Sequence, residues 1–135
     1  MPVAITAFYA ALLALLYVTL SLKVAFFRKN QRVGLGDGGN TQARRLIRAH
    51  GNASEYIPIV LILMGLYELN GGHTMLLHGA GSTFFVARML HAYGLVNSAG
   101  ASAARFIGAT LTFVCLTGLA VLNGLQSLSQ LLSLN

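Results

Sequence analysis

Charge is what this sequence has least of. Asp, Glu, Lys and Arg make up 9% of its 135 residues, where soluble domains carry roughly 25%. That scarcity excludes an ordinary water-soluble domain. Cysteine is almost absent too, and a lone Cys115 excludes both an intrachain disulfide framework and a cysteine-based zinc site. There are 2 prolines and no low-complexity or acidic tract, so a disordered linker is excluded. Acids are the rarest class: Asp37, Glu55 and Glu68 stand against 9 Lys and Arg, for a net charge of +6. Apolar–polar alternation is missing, which excludes a membrane barrel.

Apolar residues fill the space, at 56% of the chain with a mean hydropathy of +0.69. A helix needs roughly 20 of them to span a bilayer. The first run covers residues 2–27, interrupted only by Lys23, with Pro2 where a helix start tolerates proline. Basic residues follow this run rather than precede it, so it reads as a retained membrane helix and not a signal peptide. The second run, 56–69, is too short to span. Its helix must reach back to about residue 42, which draws Arg48, His50, Asn52 and Glu55 into or near the membrane. The remaining helices are expected at about 74–94 and 101–130, with Leu125, Leu128, Leu131 and Leu132 as an amphipathic tail. Connections rich in Gly, Asn and Ser separate them. The fold class is all-α: an integral membrane four-helix bundle, one domain over residues 1–135.

With four spans, all nine basic residues fall at one end: Lys23, Arg28, Lys29, Arg32, Arg44, Arg45, Arg48, Arg88 and Arg105. The positive-inside rule puts that end in the cytoplasm and both termini outside. The location is a multi-pass inner membrane. Topology and lipid headgroups thus explain a pI near 10.1, and nucleic acid is not expected as a partner.

Loop charges do not explain polar residues inside helices. Arg48, Asn52 and Glu55, at i, i+4, i+7, share one stripe, which Arg44 extends by a turn. Arg88 and His91, at i, i+3, share a face, and Arg105 opens the last helix. Alternating direction brings all of them to one depth. Ionisable groups inside a bundle face partners or a wet cavity. One reading is an ion-pair network that ties helices together, Glu55 with Arg48 or Arg88. The other is an anion pocket with one carboxylate, suited to a ligand bearing carboxylates and an ammonium group.

The segment Arg45-Leu46-Ile47-Arg48-Ala49-His50-Gly51-Asn52-Ala53-Ser54-Glu55-Tyr56-Ile57-Pro58 resembles the signature of the MAPEG superfamily, membrane-associated proteins in eicosanoid and glutathione metabolism. The chain is most similar to the small bacterial inner-membrane members. The resemblance implies a homotrimer with glutathione, as co-substrate, bound between protomers on the cytoplasmic side. Arg48, Asn52 and Glu55 would hold it, and Arg88 and His91 would line the same site. Arg105 would be the catalytic residue, stabilising the thiolate. A basic residue late in helix one, Lys23 or Arg28, would contribute. Family members of the eicosanoid type carry a tyrosine where Leu95 stands, and Tyr93 is the nearest one here. Phe106 follows Arg105 where some members have serine. The function implied is a glutathione transferase or peroxidase acting on a lipophilic second substrate. The alternatives are a non-catalytic ligand-binding or scaffold member of the fold and, third, a small proton-coupled exporter.

Other signals point elsewhere. The glycines of residues 34–39 follow a membrane helix, not a strand, and lack the spacing of a dinucleotide site, so they read as a flexible loop or lid. The four histidines lack metal spacing, so no metal is expected. His50, about 200° round the helix from Arg48, reads as structural. Cys115 reads as inert packing. Gly79, Thr83 and Ala87 read as a helix-contact ladder.

Overall fold

The computed structural model describes residues 3–98 and 100–133; the helix start expected at Pro2 lies outside them. Four helices make up the chain: α1 (Ala4–Gln31), α2 (Thr41–Leu69), α3 (Thr74–Asn97) and α4 (Ala103–Ser133). At 1.5 Å per residue they are about 36 to 46 Å long, enough to cross a hydrocarbon core of about 30 Å. On length and composition alone, α1 and α4 qualify as membrane spans; α2 and α3 carry more polar side chains.

α1, α3 and α4 end 3 to 4 residues beyond their expected ends, while α2 ends at Leu69 as expected. α1 continues through Arg28 and Lys29, cations at the negative end of the helix dipole. It stops where Arg32 turns left-handed, at φ 54°. There the Val33 N–H bonds the Arg28 carbonyl at 2.9 Å. α2 begins where Asn40 accepts from the amides of Gln42 (2.8 Å) and Ala43 (3.2 Å). It runs unbroken through Pro58, as the expected backward extension requires.

Consecutive helices run antiparallel. α2 and α3 each touch every other helix, whereas α1 and α4 do not meet. The bundle is thus a rhombus with α2 and α3 on its short diagonal. Val60, Met64, Leu77, Phe84, Leu13 and Leu119 fill the centre, each nearly inaccessible. Alanines at 43, 49 and 53 keep the buried side of α2 slim.

Glycines set the closest approaches. A side chain at Gly108 would collide with the Ala87 carbonyl and the His91 backbone, and Gly81 receives the Tyr9 ring. The expected ladder is therefore only partly right. Ala87 is buried in the α3–α4 contact, but Gly79 is exposed and nothing lies near it.

The end remote from the basic residues is tied by Glu68. Its carboxylate accepts from the Ile5 amide (2.9 Å), the Thr6 amide (2.8 Å) and the Thr6 hydroxyl (2.6 Å). Val3, the N-cap residue of α1, makes no side-chain cap of its own. A residue 62 positions away in sequence from Thr6 does that work instead. Beside it the Tyr9 hydroxyl donates to the His78 carbonyl at 3.1 Å.

Candidate functional site

The site lies between α2, α3 and α4 at the basic end. Its centre is Arg88, buried to 3% exposure. Nη1 donates to the Asn52 side-chain oxygen and Nη2 to the Thr112 hydroxyl, both at 2.6 Å. The guanidinium also lies against two rings, 5.4 Å from the centroid of Tyr56 and 5.8 Å from that of Phe84. Of its three nitrogens, Nε alone is buried and unpartnered. Among the described residues Arg88 meets no carboxylate; the ion pair present is Arg44 with Asp37, at 2.9 Å.

Asn52, Tyr56, Arg88, His91, Ala109, Thr112 and Phe113 line a cleft of about 70 Å³. Complete small-molecule sites span roughly 300 Å³ or more. His91 is buried one turn beyond Arg88 and lines the same cleft, and the backbone of Arg105 lies against Gly94, one turn further along α3. The expected convergence of these residues on one depth is therefore present.

Within that group the side chains differ in access. Taking Ala53 as the middle of the buried face of α2, Asn52 lies about 100° round the helix, and Arg48 and Glu55 about 140° to 160°. So Asn52 reaches the cleft, while Arg48 and Glu55 are exposed beside it. Among the described residues no ion pair joins Glu55 to Arg48 or Arg88; in place of the ion-pair network that was one of the two readings stand the Asn52–Arg88–Thr112 bonds. Arg105 is exposed in the first turn of α4. That turn is capped by the Ser102 hydroxyl, which accepts from the Arg105 amide at 3.3 Å.

Lys23 and Tyr93 lie elsewhere. With Thr19, Met89 and Asn97 they line a groove of about 190 Å³ between α1 and α3, on the other side of the α2–α3 diagonal from the cleft. Arg28 is engaged locally, donating from Nε to the Gly36 carbonyl at 3.2 Å. The glycine-rich loop is thus held at several points. Asp37 takes the Arg44 Nε bond and the Gly39 amide at 2.9 Å each. The Arg44 bond, then the Gly39 amide, hold its carboxyl below the usual carboxylate range.

His50 stacks on Tyr17, with centroids 4.8 Å apart, the structural role expected of it. Cys115 is buried against the Ala80 carbonyl. Among the described residues no group of His, Cys, Asp or Glu could hold a metal.

Sequence reasoning missed Tyr56 and Thr112. Tyr56 follows Glu55 directly in the motif segment. Thr112 lies two turns beyond Arg105, nearly in line with it on α4, and that alignment was the available signal.

Known proteins agree with this architecture. The profile of the MAPEG family matches residues 6–125. The chain is 43% identical over 90 residues to the "Inner membrane protein YecN" of Escherichia coli strain K12, covering 67% of this chain and 69% of that protein. It matches the protein of the same name from Escherichia coli O6:H1 strain CFT073 to the same extent. An all-α bundle of membrane-length helices, carrying its polar residues where the signature has them and matched along most of its length, belongs to the MAPEG family of membrane proteins.

Proposed function

We propose that the protein is a glutathione-dependent enzyme of the inner membrane, a transferase or peroxidase for lipophilic electrophiles or peroxides. The observation that carries this reading is Arg88. A buried cation without a counter-ion costs several kcal/mol, and an idle buried N–H adds about 1–3 kcal/mol. Both costs vanish when a carboxylate sits against Nε. Glutathione has two carboxylates for Arg88 and Arg48, and an ammonium group for Glu55.

The cleft of one protomer is too small for a tripeptide, which supports a shared site in a homotrimer. A neighbouring copy would bring its α1–α3 edge, with Lys23 and Tyr93, over the exposed Arg48, Glu55 and Arg105. Lys23 is the freer of the two helix-one candidates, because Arg28 is tied to its own loop. The basic end faces the cytoplasm, where the positive-inside rule puts it, and both termini lie outside. The relatives' name, inner membrane protein, supports the compartment.

A thiol of pKa about 8.5 is only a few per cent thiolate at pH 7. A guanidinium such as that of Arg105 favours the thiolate by about 1.4 kcal/mol per pKa unit lowered. In transfer, the thiolate sulfur bonds to an electrophilic carbon, and the leaving group departs with the electron pair. In peroxide reduction the sulfur bonds to one peroxide oxygen as the O–O bond breaks, the departing alkoxide takes a proton, and a second glutathione displaces water from the resulting sulfenic acid to give the disulfide. The chain contributes orientation and charge. A second reading, ligand binding without catalysis, draws support from two positions that carry no hydroxyl: Leu95, which is buried, and Phe106, which is 73% exposed.

The experiment is an ultraviolet thiolate difference spectrum of glutathione added to the detergent-solubilised protein at neutral pH, with Arg105→Ala and Glu55→Ala as comparisons. A saturable thiolate band, weakened by Arg105→Ala and lost with binding in Glu55→Ala, is expected. Binding without a band moves the protein to the non-catalytic reading, and no binding by folded protein refutes both. Native mass spectrometry in mild detergent is expected to give trimers.

A further inference from the structure

Among the polar cleft residues, Thr112 is the one that no motif marks. It is 1% exposed in the middle of a helix that otherwise has no charge beyond Arg105. Its hydroxyl donates to the Gly108 carbonyl one turn back, at 2.8 Å. That bond occupies its only proton and turns an oxygen lone pair toward α3. The Nη2 group of Arg88 takes this lone pair at 2.6 Å. Asn52 holds Nη1 in the same way from α2. Two of the three guanidinium nitrogens are thus clamped by neutral acceptors from two helices, and the third, Nε, has no partner. The clamp depends on Gly108, since a side chain there would hold α4 away from Ala87 and His91.

We propose that Thr112 is the positioning residue of the anion site. Through Gly108 and Thr112, α4 orients the Arg88 guanidinium so that Nε–H remains the donor reserved for a carboxylate of the ligand. Thr112 itself touches no ligand; it acts through Arg88. The arrangement also accounts for a hydroxyl buried in a membrane helix. A threonine in that setting normally bonds only its own backbone, whereas here it is also the acceptor for a cation. The inference rests on the glutathione reading for the ligand's identity, but not for the clamp itself.

The test pairs Thr112→Val, which keeps the shape and removes the hydroxyl, with Thr112→Ser, which keeps the hydroxyl. Dissociation constants for glutathione are measured on detergent-solubilised protein. A hydrogen bond to a charged group contributes about 1.5–3 kcal/mol, so Thr112→Val is expected to bind at least about tenfold more weakly. Thr112→Ser is expected to stay close to wild type. Equal affinity in Thr112→Val overturns the proposal. So does an equal loss in both variants, because the effect would then follow the missing methyl rather than the hydroxyl.

A second measurement needs no ligand. In protein labelled with 15N-arginine, the Nε–H resonance that disappears in Arg88→Lys belongs to Arg88. It is expected to shift or broaden in Thr112→Val and to be retained in Thr112→Ser. If wild type binds no glutathione, the glutathione reading falls, and this resonance alone decides the clamp: a change confined to Thr112→Val supports it, and an unchanged spectrum overturns it.

Discussion

Gly108→Ala sets two effects of known size against each other. An alanine in a helix interior is better than glycine by about 1 kcal/mol. Against this, the added methyl would sit 2.6 Å from the Ala87 carbonyl oxygen, 2.6 Å from the His91 nitrogen and 2.8 Å from the His91 Cβ. Ordinary contact begins at 3.4 Å, so α3 and α4 must part by about 0.8 Å in a closely packed interior. The atoms struck belong mostly to backbone and cannot swing away. Overpacking of this kind costs typically 1–3 kcal/mol, and here the upper figure applies, leaving a net loss of about 2 kcal/mol. Gly118 is the control on the same helix, since a methyl there meets nothing within 4 Å. Melting in detergent, followed by circular dichroism, should place Gly108→Ala below wild type and Gly118→Ala at or above it. The same displacement stretches the 2.6 Å Arg88–Thr112 bond toward the limit of a hydrogen bond, so glutathione binding should weaken in Gly108→Ala alone. If Gly108→Ala melts with Gly118→Ala, at or above wild type, α3 and α4 do not approach as closely as the Gly108 contacts require.

Arg88→Met removes the buried cation while filling a similar volume. It should abolish glutathione binding, measured by titration, yet leave the melting temperature unchanged or raised, because an uncompensated charge has been withdrawn. Glu68→Ala should lower stability by about 2–3 kcal/mol, the loss of a charge-assisted helix cap, read as earlier thermal unfolding, with Glu68→Gln intermediate. Asp37→Asn should leave the melting temperature unchanged at neutral pH, because the Arg44 pair is exposed. The folded Asp37 carboxyl titrates below its ordinary value of 3.8. Its local hold on the loop, too small to move the melting temperature, is therefore full above 3.8 and fades only as the pH falls through the lower folded value; limited proteolysis of the loop from pH 7 down to 3 would check this.

The bundle was legible because apolar runs of bilayer length have few other outcomes. The backward extension of α2 followed from a length that 56–69 could not reach alone, and the structure begins α2 at Thr41. The shared depth of Arg48, Asn52, Arg88, His91 and Arg105 followed from counting along alternating helices. Periodicity, however, yields a stripe and not the direction in which it faces. Arg48 and Glu55 do share a stripe with Asn52, but that stripe is turned well away from the Ala49–Ala53–Ile57 face, so only Asn52 reaches the cleft. Thr112 was hidden because one threonine on an apolar helix looks like any other; its role appears only when Gly108 brings α4 against α3. Glu68 was hidden differently. Near a connection a carboxylate reads as surface charge, and nothing local reveals that its partners are the first amides of α1.

The Glu68 clasp also bears on biogenesis. A chain is synthesised from its N-terminus at about 5–20 residues per second, so the 62 residues from Thr6 to Glu68 take roughly 3 to 12 seconds to appear. Through that interval the first turn of α1 has no protein cap and its amides must stay in contact with water or headgroups. Arrival of the end of α2 closes the first latch, and arrival of His78, which accepts from Tyr9, closes the second. The helices are thereby checked in order as they thread, and an α1 inserted at the wrong depth has no carboxylate to meet.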